Sequence, residues 1–171
     1  MLMGFFPRTF ANLSSGIMFL LDVLYAEKKE AHLEILKNGQ IKLLPGVEEF
    51  LRGLASARVK RCVATNSAKD QIEIIRRALP LLDSIPVWVT REQYQNPKPA
   101  PDAYLKAISI LADPGDKIIG FEDSMRGIKA LQLASARPVL ICSSKHPQLT
   151  EMDLKGVAHF SSFEKIPSAG F

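Results

Sequence analysis

Three short polar segments stand at the ends of apolar runs, and each is suited to handling phosphate. The first is Thr65-Asn66-Ser67. The second is Lys98 within Asn96-Pro97-Lys98-Pro99-Ala100-Pro101-Asp102. The third is Glu122-Asp123-Ser124. A phosphoryl group needs its oxygens neutralised and its geometry fixed. Thr65 offers a hydroxyl donor, and the N–H groups of Asn66 and Ser67 lie where a loop turns into a helix, a setting that favours anions. Lys98 brings a point charge whose backbone is restricted by Pro97 and Pro99. Glu122 and Asp123 supply hard oxygen ligands of the kind that suit Mg²⁺, which keeps waters and shares its shell with phosphate.

Each segment also has a plainer reading. Thr65 and Ser67 could simply cap a helix, with Asp70 completing a capping box on Ser67. A lysine in a proline-rich loop is commonly a solvated surface residue. Glu122-Asp123 could be an acidic helix start that complements a helix dipole, with Ser124 as its cap. Only their order and placement together single out phosphate chemistry.

The elements that must position these residues alternate along the chain. Met18 to Lys37 has helical spacing, with Leu21, Leu24, Tyr25, Lys28, His32 and Ile35 on one face, and Asn38-Gly39 ends it. Pro45-Gly46 opens a helix striped by Val47, Phe50, Leu51 and Leu54. Strands are expected at Val59–Ala64, where Cys62 packs inside, and at Val87–Thr90, Lys117–Phe121, Val139–Cys142 and Val157–His159. Between them, one helix follows Ser67, a second starts at Pro101 with Tyr104, Leu105, Ile108 and Leu111 inward, and a third starts at Ser124 with Ile128, Leu131 and Ala134 inward. Such alternation predicts βαβ units and a parallel sheet with helices on both faces. Ligands on these sheets bind beyond the carboxyl ends of the strands, where all three polar segments fall.

The bulk properties fit one ordinary domain. The chain has 171 residues, 47% apolar and 23% charged, with a net charge of +4. Lys28-Lys29 and Arg76-Arg77 are the densest basic spots, and no basic stripe with interleaved aromatics predicts nucleic-acid binding. Nothing approaches the roughly 18 apolar residues of a membrane span, and the N-terminus lacks a secretory pattern. Cys62 and Cys142 both read as small buried thiols, which fits a reducing, cytoplasmic setting. His32, His146 and His159 have no metal-ligand spacing.

At this point a family resemblance is plain. Leu44-Pro45-Gly46-Val47, Ala64-Thr65-Asn66-Ser67, Lys98-Pro99-Ala100-Pro101-Asp102 and Gly120-Phe121-Glu122-Asp123-Ser124 resemble the haloacid dehalogenase-like (HAD) hydrolases. The closest likeness is to their beta-phosphoglucomutase/phosphoglycolate phosphatase-like subgroup, from about Leu24 to Cys142. A receiver-like signalling domain also uses acidic residues, Thr and Lys at strand ends, but the lysine loop and the Glu122-Asp123 order speak against it. The resemblance implies a Rossmann-like (HAD-like) α/β fold, a parallel sheet flanked by helices. It implies residues 1–43 as a remnant of a helical cap and 44–171 as the core. It also implies a Mg²⁺-dependent phosphatase or phosphomutase acting on a small phosphorylated metabolite. Thr65 and Lys98 would hold the phosphate, Asn66 would add a hydrogen bond, Lys98 would serve catalysis, and Asp123 with Glu122 would bind the metal. No nucleic acid or membrane partner is implied.

One motif of that family is missing. Its first strand ends in Asp-x-Asp, whose first aspartate attacks phosphorus and whose second protonates the leaving group. No Asp-x-Asp occurs in the 171 residues. Asp22 is followed by Val23-Leu24 and belongs, on this reading, to a cap helix with Glu27-Lys28-Lys29-Glu30. The resemblance places the absent strand in the middle of the sheet, so the core is expected to lack its central strand. Upstream residues, loss through decay, or a segment from a second copy are the alternatives, in that order. The chain is therefore expected to be inactive as written, with a catalytically dead phosphate-binding or interaction protein as the alternative.

Overall fold

The computed structural model describes residues 41–147, 149 and 154–166. The expected helix from Met18 to Lys37, the cap remnant and Asp22 lie outside the described residues. From Ile41 the chain forms one compact unit. Its helices are α1 (Val47–Ser56), α2 (Lys69–Ala78), α3 (Asp102–Leu111) and α4 (Met125–Leu133). Its strands are β1 (Cys62–Ala64), β2 (Val87–Val89), β3 (Ile119–Glu122), β4 (Arg137–Ile141) and β5 (Ala158–Phe160).

All pairings are parallel, as the alternation of strand and helix predicts. The strands form two sheets, one of order β1-β2 and one of order β3-β4-β5. Among the described residues β1 and β3 do not pair. Each sheet has its own apolar centre. Leu51, Leu82 and Ile85 pack with Val63, Ile75 and Trp88 beside the first sheet. Ile128, Leu140 and Cys142 pack with Leu149, Leu154 and Val157 beside the second. Helix α3 packs on β1 and β2 and also touches α4, which covers β3 and β4. A cluster of Phe50, Phe121 and Phe163, with ring centroids 5.1 to 5.6 Å apart, joins α1 to β3.

The expected elements appear with informative differences. Strand β1 begins at Cys62 rather than Val59. Arg58 adopts φ 53°, and the Arg58 and Val59 N–H groups return to Ala55 and Leu54 carbonyls. That closes α1 as a Schellman turn and keeps Val59 out of the ladder. Cys62 is exposed, not buried. Leu105 is also exposed, and α3 buries Ala103 and Ala107 instead. Close approach to the sheet selects small side chains on that face. Ser67 does not cap α2: Ala68 is the N-cap residue, and its N–H donates to the Gln71 side chain. The Ser67 N–H is instead held by Thr65 Oγ1 at 3.0 Å.

Gly120 explains how α4 lies so close to β3. A Cβ there would stand 2.1 Å from the buried Leu131 side chain, so only glycine admits that packing.

Candidate active site

The three polar segments follow β1, β2 and β3 at their carboxyl ends, and one side chain ties them together. The Lys98 ammonium donates to the Ala64 carbonyl at 2.8 Å and to Glu122 Oε1 at 2.5 Å. Ala64 ends β1 and Glu122 ends β3. The lysine therefore spans the open ends of the two sheets. Its side chain is only 12% exposed, which removes the solvated-surface reading.

The loop that carries Lys98 is fixed at several points. Lys98–Pro99 is a cis peptide. The Asn96 N–H and side-chain amide both donate to Asp102 Oδ2, closing the loop onto the start of α3. The Lys98 N–H donates to Asn66 Oδ1 at 3.1 Å, and the Arg126 guanidinium donates to the Lys98 carbonyl. Tyr94 joins the first segment: its hydroxyl lies 2.8 Å from the Thr65 carbonyl and 2.7 Å from Asn66 Oδ1. Burial raises the Tyr94 pKa, which keeps the phenol protonated as a donor.

These bonds determine which donors remain. The Ser67, Ala68 and Lys69 N–H groups are taken by Thr65, Gln71 and Glu92. The helix start is thus satisfied internally, apart from the Asn66 N–H, which has no acceptor among the described residues. With Asn66 Oδ1 occupied, its Nδ2 remains a donor without an acceptor among them. Thr65 Oγ1 accepts from Ser67 and keeps its own proton to give. Lys98 uses two of its three ammonium protons on Ala64 and Glu122. The arrangement supplies a set of donors of the sort an anion requires.

The acidic segment divides its labour. Glu122 is 9% exposed, and its Oε1 accepts from both Lys98 and the Tyr104 hydroxyl. Ser124 Oγ is 3.4 Å from Glu122 Oε2 and accepts the Gly127 N–H, so Ser124 caps α4 as expected. Asp123 is exposed and carries no hydrogen bond or ion pair among the described residues. No group of three His, Cys, Asp or Glu side chains gathers as a metal cage among those residues. One carboxylate without a bonded partner among the described residues, next in the chain to Glu122, still fits Mg²⁺, which takes one or two carboxylates and completes its shell with water and phosphate oxygens.

Tyr104 and Tyr94 belong to this site although the motifs did not single them out. The available signal was a tyrosine on the inward stripe of α3, whose hydroxyl needs a partner once buried. Burial, followed by the Glu122 charge and hydrogen bond, pushes the Tyr104 pKa far up and keeps its proton in place.

Known proteins resemble this chain in sequence and in fold. A family model described as haloacid dehalogenase-like hydrolase matches residues 14–135. Protein CbbY of Rhodobacter capsulatus is 31% identical over 120 residues, covering 68% of this chain and 53% of its own length. A phosphorylated carbohydrates phosphatase of Thermotoga maritima is 35% identical over 112 residues, covering 65% of this chain and 49% of its own. The chain spans about half the length of these curated relatives. Among solved structures, a family IA, variant 3 HAD hydrolase from Entamoeba histolytica superposes with a TM-score of 0.70 at 26% identity, covering 91% of this chain and 70% of that one. A putative beta-phosphoglucomutase from Thermotoga maritima superposes with a TM-score of 0.65 at 26% identity, covering 89% of this chain and 68% of that one. No described helix is long and apolar enough to cross a membrane. The chain belongs to the haloacid dehalogenase-like hydrolase family, within its beta-phosphoglucomutase/phosphoglycolate phosphatase-like subgroup.

Proposed function

We propose that this chain carries the phosphate- and metal-binding part of a phosphatase or phosphomutase for a small phosphorylated metabolite. The observation that carries this reading is the Lys98 ammonium, buried between Ala64 and Glu122 with one proton to spare. Thr65 and Asn66 add neutral donors beside it, and among the described residues Lys98 is the one cation in contact with both strand ends. A phosphate monoester would lie against these groups, its charge offset by Lys98. Asp123, with Glu122 behind it, would hold Mg²⁺, which when bound offsets phosphoryl charge as a Lewis acid. Residues 1–43 would belong to a cap and 44–171 to the core, in a reducing, cytoplasmic setting.

Turnover by this family's chemistry needs a carboxylate nucleophile, and the 171 residues hold no Asp-x-Asp. Loss of a covalent nucleophile costs several orders of magnitude in rate. The chain as written is therefore a binder with negligible phosphatase activity. That same absence favours a second reading, a dead HAD-like domain retained for phosphate binding or interaction. Titration calorimetry with inorganic phosphate, with and without Mg²⁺, tests the binding claim, and Lys98→Ala should remove the heat. Release of phosphate from p-nitrophenyl phosphate tests the inactivity. Robust Mg²⁺-dependent turnover by purified 1–171, abolished by Asp123→Asn, overturns it.

A further inference from the structure

We propose that Tyr104 is a positioning residue of this site, holding the Lys98 ammonium in place from two sides at once. Its hydroxyl donates to Glu122 Oε1, the oxygen that also receives the Lys98 Nζ proton at 2.5 Å. Its ring lies under the same ammonium, with Nζ 4.5 Å from the ring centroid. The inference rests on the reading of Lys98 as the phosphate partner and adds what keeps that lysine aimed.

The physical argument concerns competition. Glu122 and an incoming phosphate both attract the same ammonium. A carboxylate left to Lys98 alone could swing and carry the ammonium away from the phosphate. The Tyr104 hydroxyl satisfies part of the Glu122 acceptor capacity and pins the carboxylate. The negative face of the Tyr104 ring attracts the cation on a second side. With the Ala64 carbonyl as a third anchor, one ammonium proton is left in a fixed direction. Helix α3 thereby acts on a loop residue through a side chain that need never touch the ligand.

The test compares the full chain with Tyr104→Phe, which keeps the ring and removes only the hydroxyl. Inorganic phosphate is the probe, read by titration calorimetry. The Lys98 ammonium resonance is read by ¹⁵N NMR. Tyr104→Phe should weaken phosphate by about threefold to tenfold, the range to which a typical net hydrogen-bond contribution converts. It should also speed exchange of the Lys98 ammonium protons. A role in packing alone would lower the melting temperature and leave both readouts unchanged, and that result overturns the proposal. A parent protein that takes no phosphate overturns the phosphate reading and this inference with it. Phosphate binding that is equal in parent and variant sinks only the role of Tyr104. The parent also provides a check independent of any variant's folding: a nuclear Overhauser contact between the Lys98 Cε protons and the Tyr104 ring. Its absence rejects the proposed geometry.

Discussion

The Glu122 carboxylate occupies the space that a side chain at Gly127 would need. A Cβ on Gly127 would stand 1.9 Å from both Cδ and Oε2 of Glu122. Gly127 lies in the first turn of α4, where Ser124 caps its N–H. The glycine thus sets the depth at which Glu122 meets Lys98 and Tyr104.

Gly127→Ala should therefore damage a site it does not line. The end of a long side chain can usually move aside, but this one is pinned by Lys98 and Tyr104. Overpacking of this sort costs about 1–3 kcal/mol. Phosphate affinity should drop along with the urea midpoint. An alanine variant as stable as the parent, with full phosphate affinity, would show that Glu122 yields freely.

Lys98→Met should cost stability as well as binding. It leaves the carboxylate of Glu122 with the Tyr104 hydroxyl but no cation, at a position 9% exposed. Breaking a buried pair from one side costs about 3 kcal/mol. Adding Glu122→Gln to Lys98→Met should recover most of that loss, because no unpaired charge then remains. Phosphate binding should fall by about tenfold to a hundredfold in Lys98→Met and should not return in the double variant. Thermal melts paired with calorimetry separate the two effects.

Gly46→Ala should be severe although Gly46 belongs to no polar segment. Gly46 sits at φ +82°, where an L side chain is strained, and its Cβ would fall 2.3 Å from the Glu164 backbone nitrogen. The obstacle is backbone and cannot rotate away. Left-handed strain and overpacking together come to about 2–5 kcal/mol. Chemical denaturation of the variant should show a large fall in midpoint, and a fall no greater than that of an exposed Gly53→Ala control would contradict the packing described.

A pH and salt dependence is expected at the Lys60–Asp113–Asp116 cluster. Lys60 Nζ lies 2.5 Å from Asp113 and 2.8 Å from Asp116. The Lys60 hydrogen bond, then the Asp113 N–H, lowers the Asp116 pKa; hydrogen bonds to Asp113 and Asp116 raise that of Lys60. The Asp116 contribution is present above the ordinary carboxylate pKa and is lost as pH falls through the lowered one. The Lys60 contribution is present below the ordinary lysine value and is lost as pH rises through the raised one. Asp116→Asn should thus melt slightly below the parent at neutral pH. The gap should close below about pH 3 and in about 1 M salt, because the groups are solvent-screened. A gap that persists in high salt would point to a cause other than charge.

Much of the fold was legible in the chain because it depends on local pattern. Parallel pairing followed from strands alternating with helices, and α4 was readable from Ile128, Leu131 and Ala134, all buried. Local pattern misled where tertiary approach chose the residues. Leu105 fitted a helical stripe, yet α3 turns Ala103 and Ala107 inward to approach the sheet. Cys62 read as buried, but burial of a strand residue depends on what flanks it. Ser67 looked like a helix cap, until Thr65 took its N–H and Gln71 took that of Ala68.

By itself the sequence determined which residue types stand at the strand ends: a hydroxyl, an ammonium and two carboxylates, with no Asp-x-Asp among them. That much follows from residue order, which sets covalent neighbours and the period of apolar side chains. Only the tertiary structure decided how the charges are shared. It commits Glu122 to Lys98 and Tyr104, leaves Asp123 without such a partner among the described residues, and brings in Tyr94 and Tyr104 from outside the motifs. Electrostatic and hydrogen-bond partners are set by distances of about 3 Å across elements far apart in the chain, and no local pattern encodes those distances.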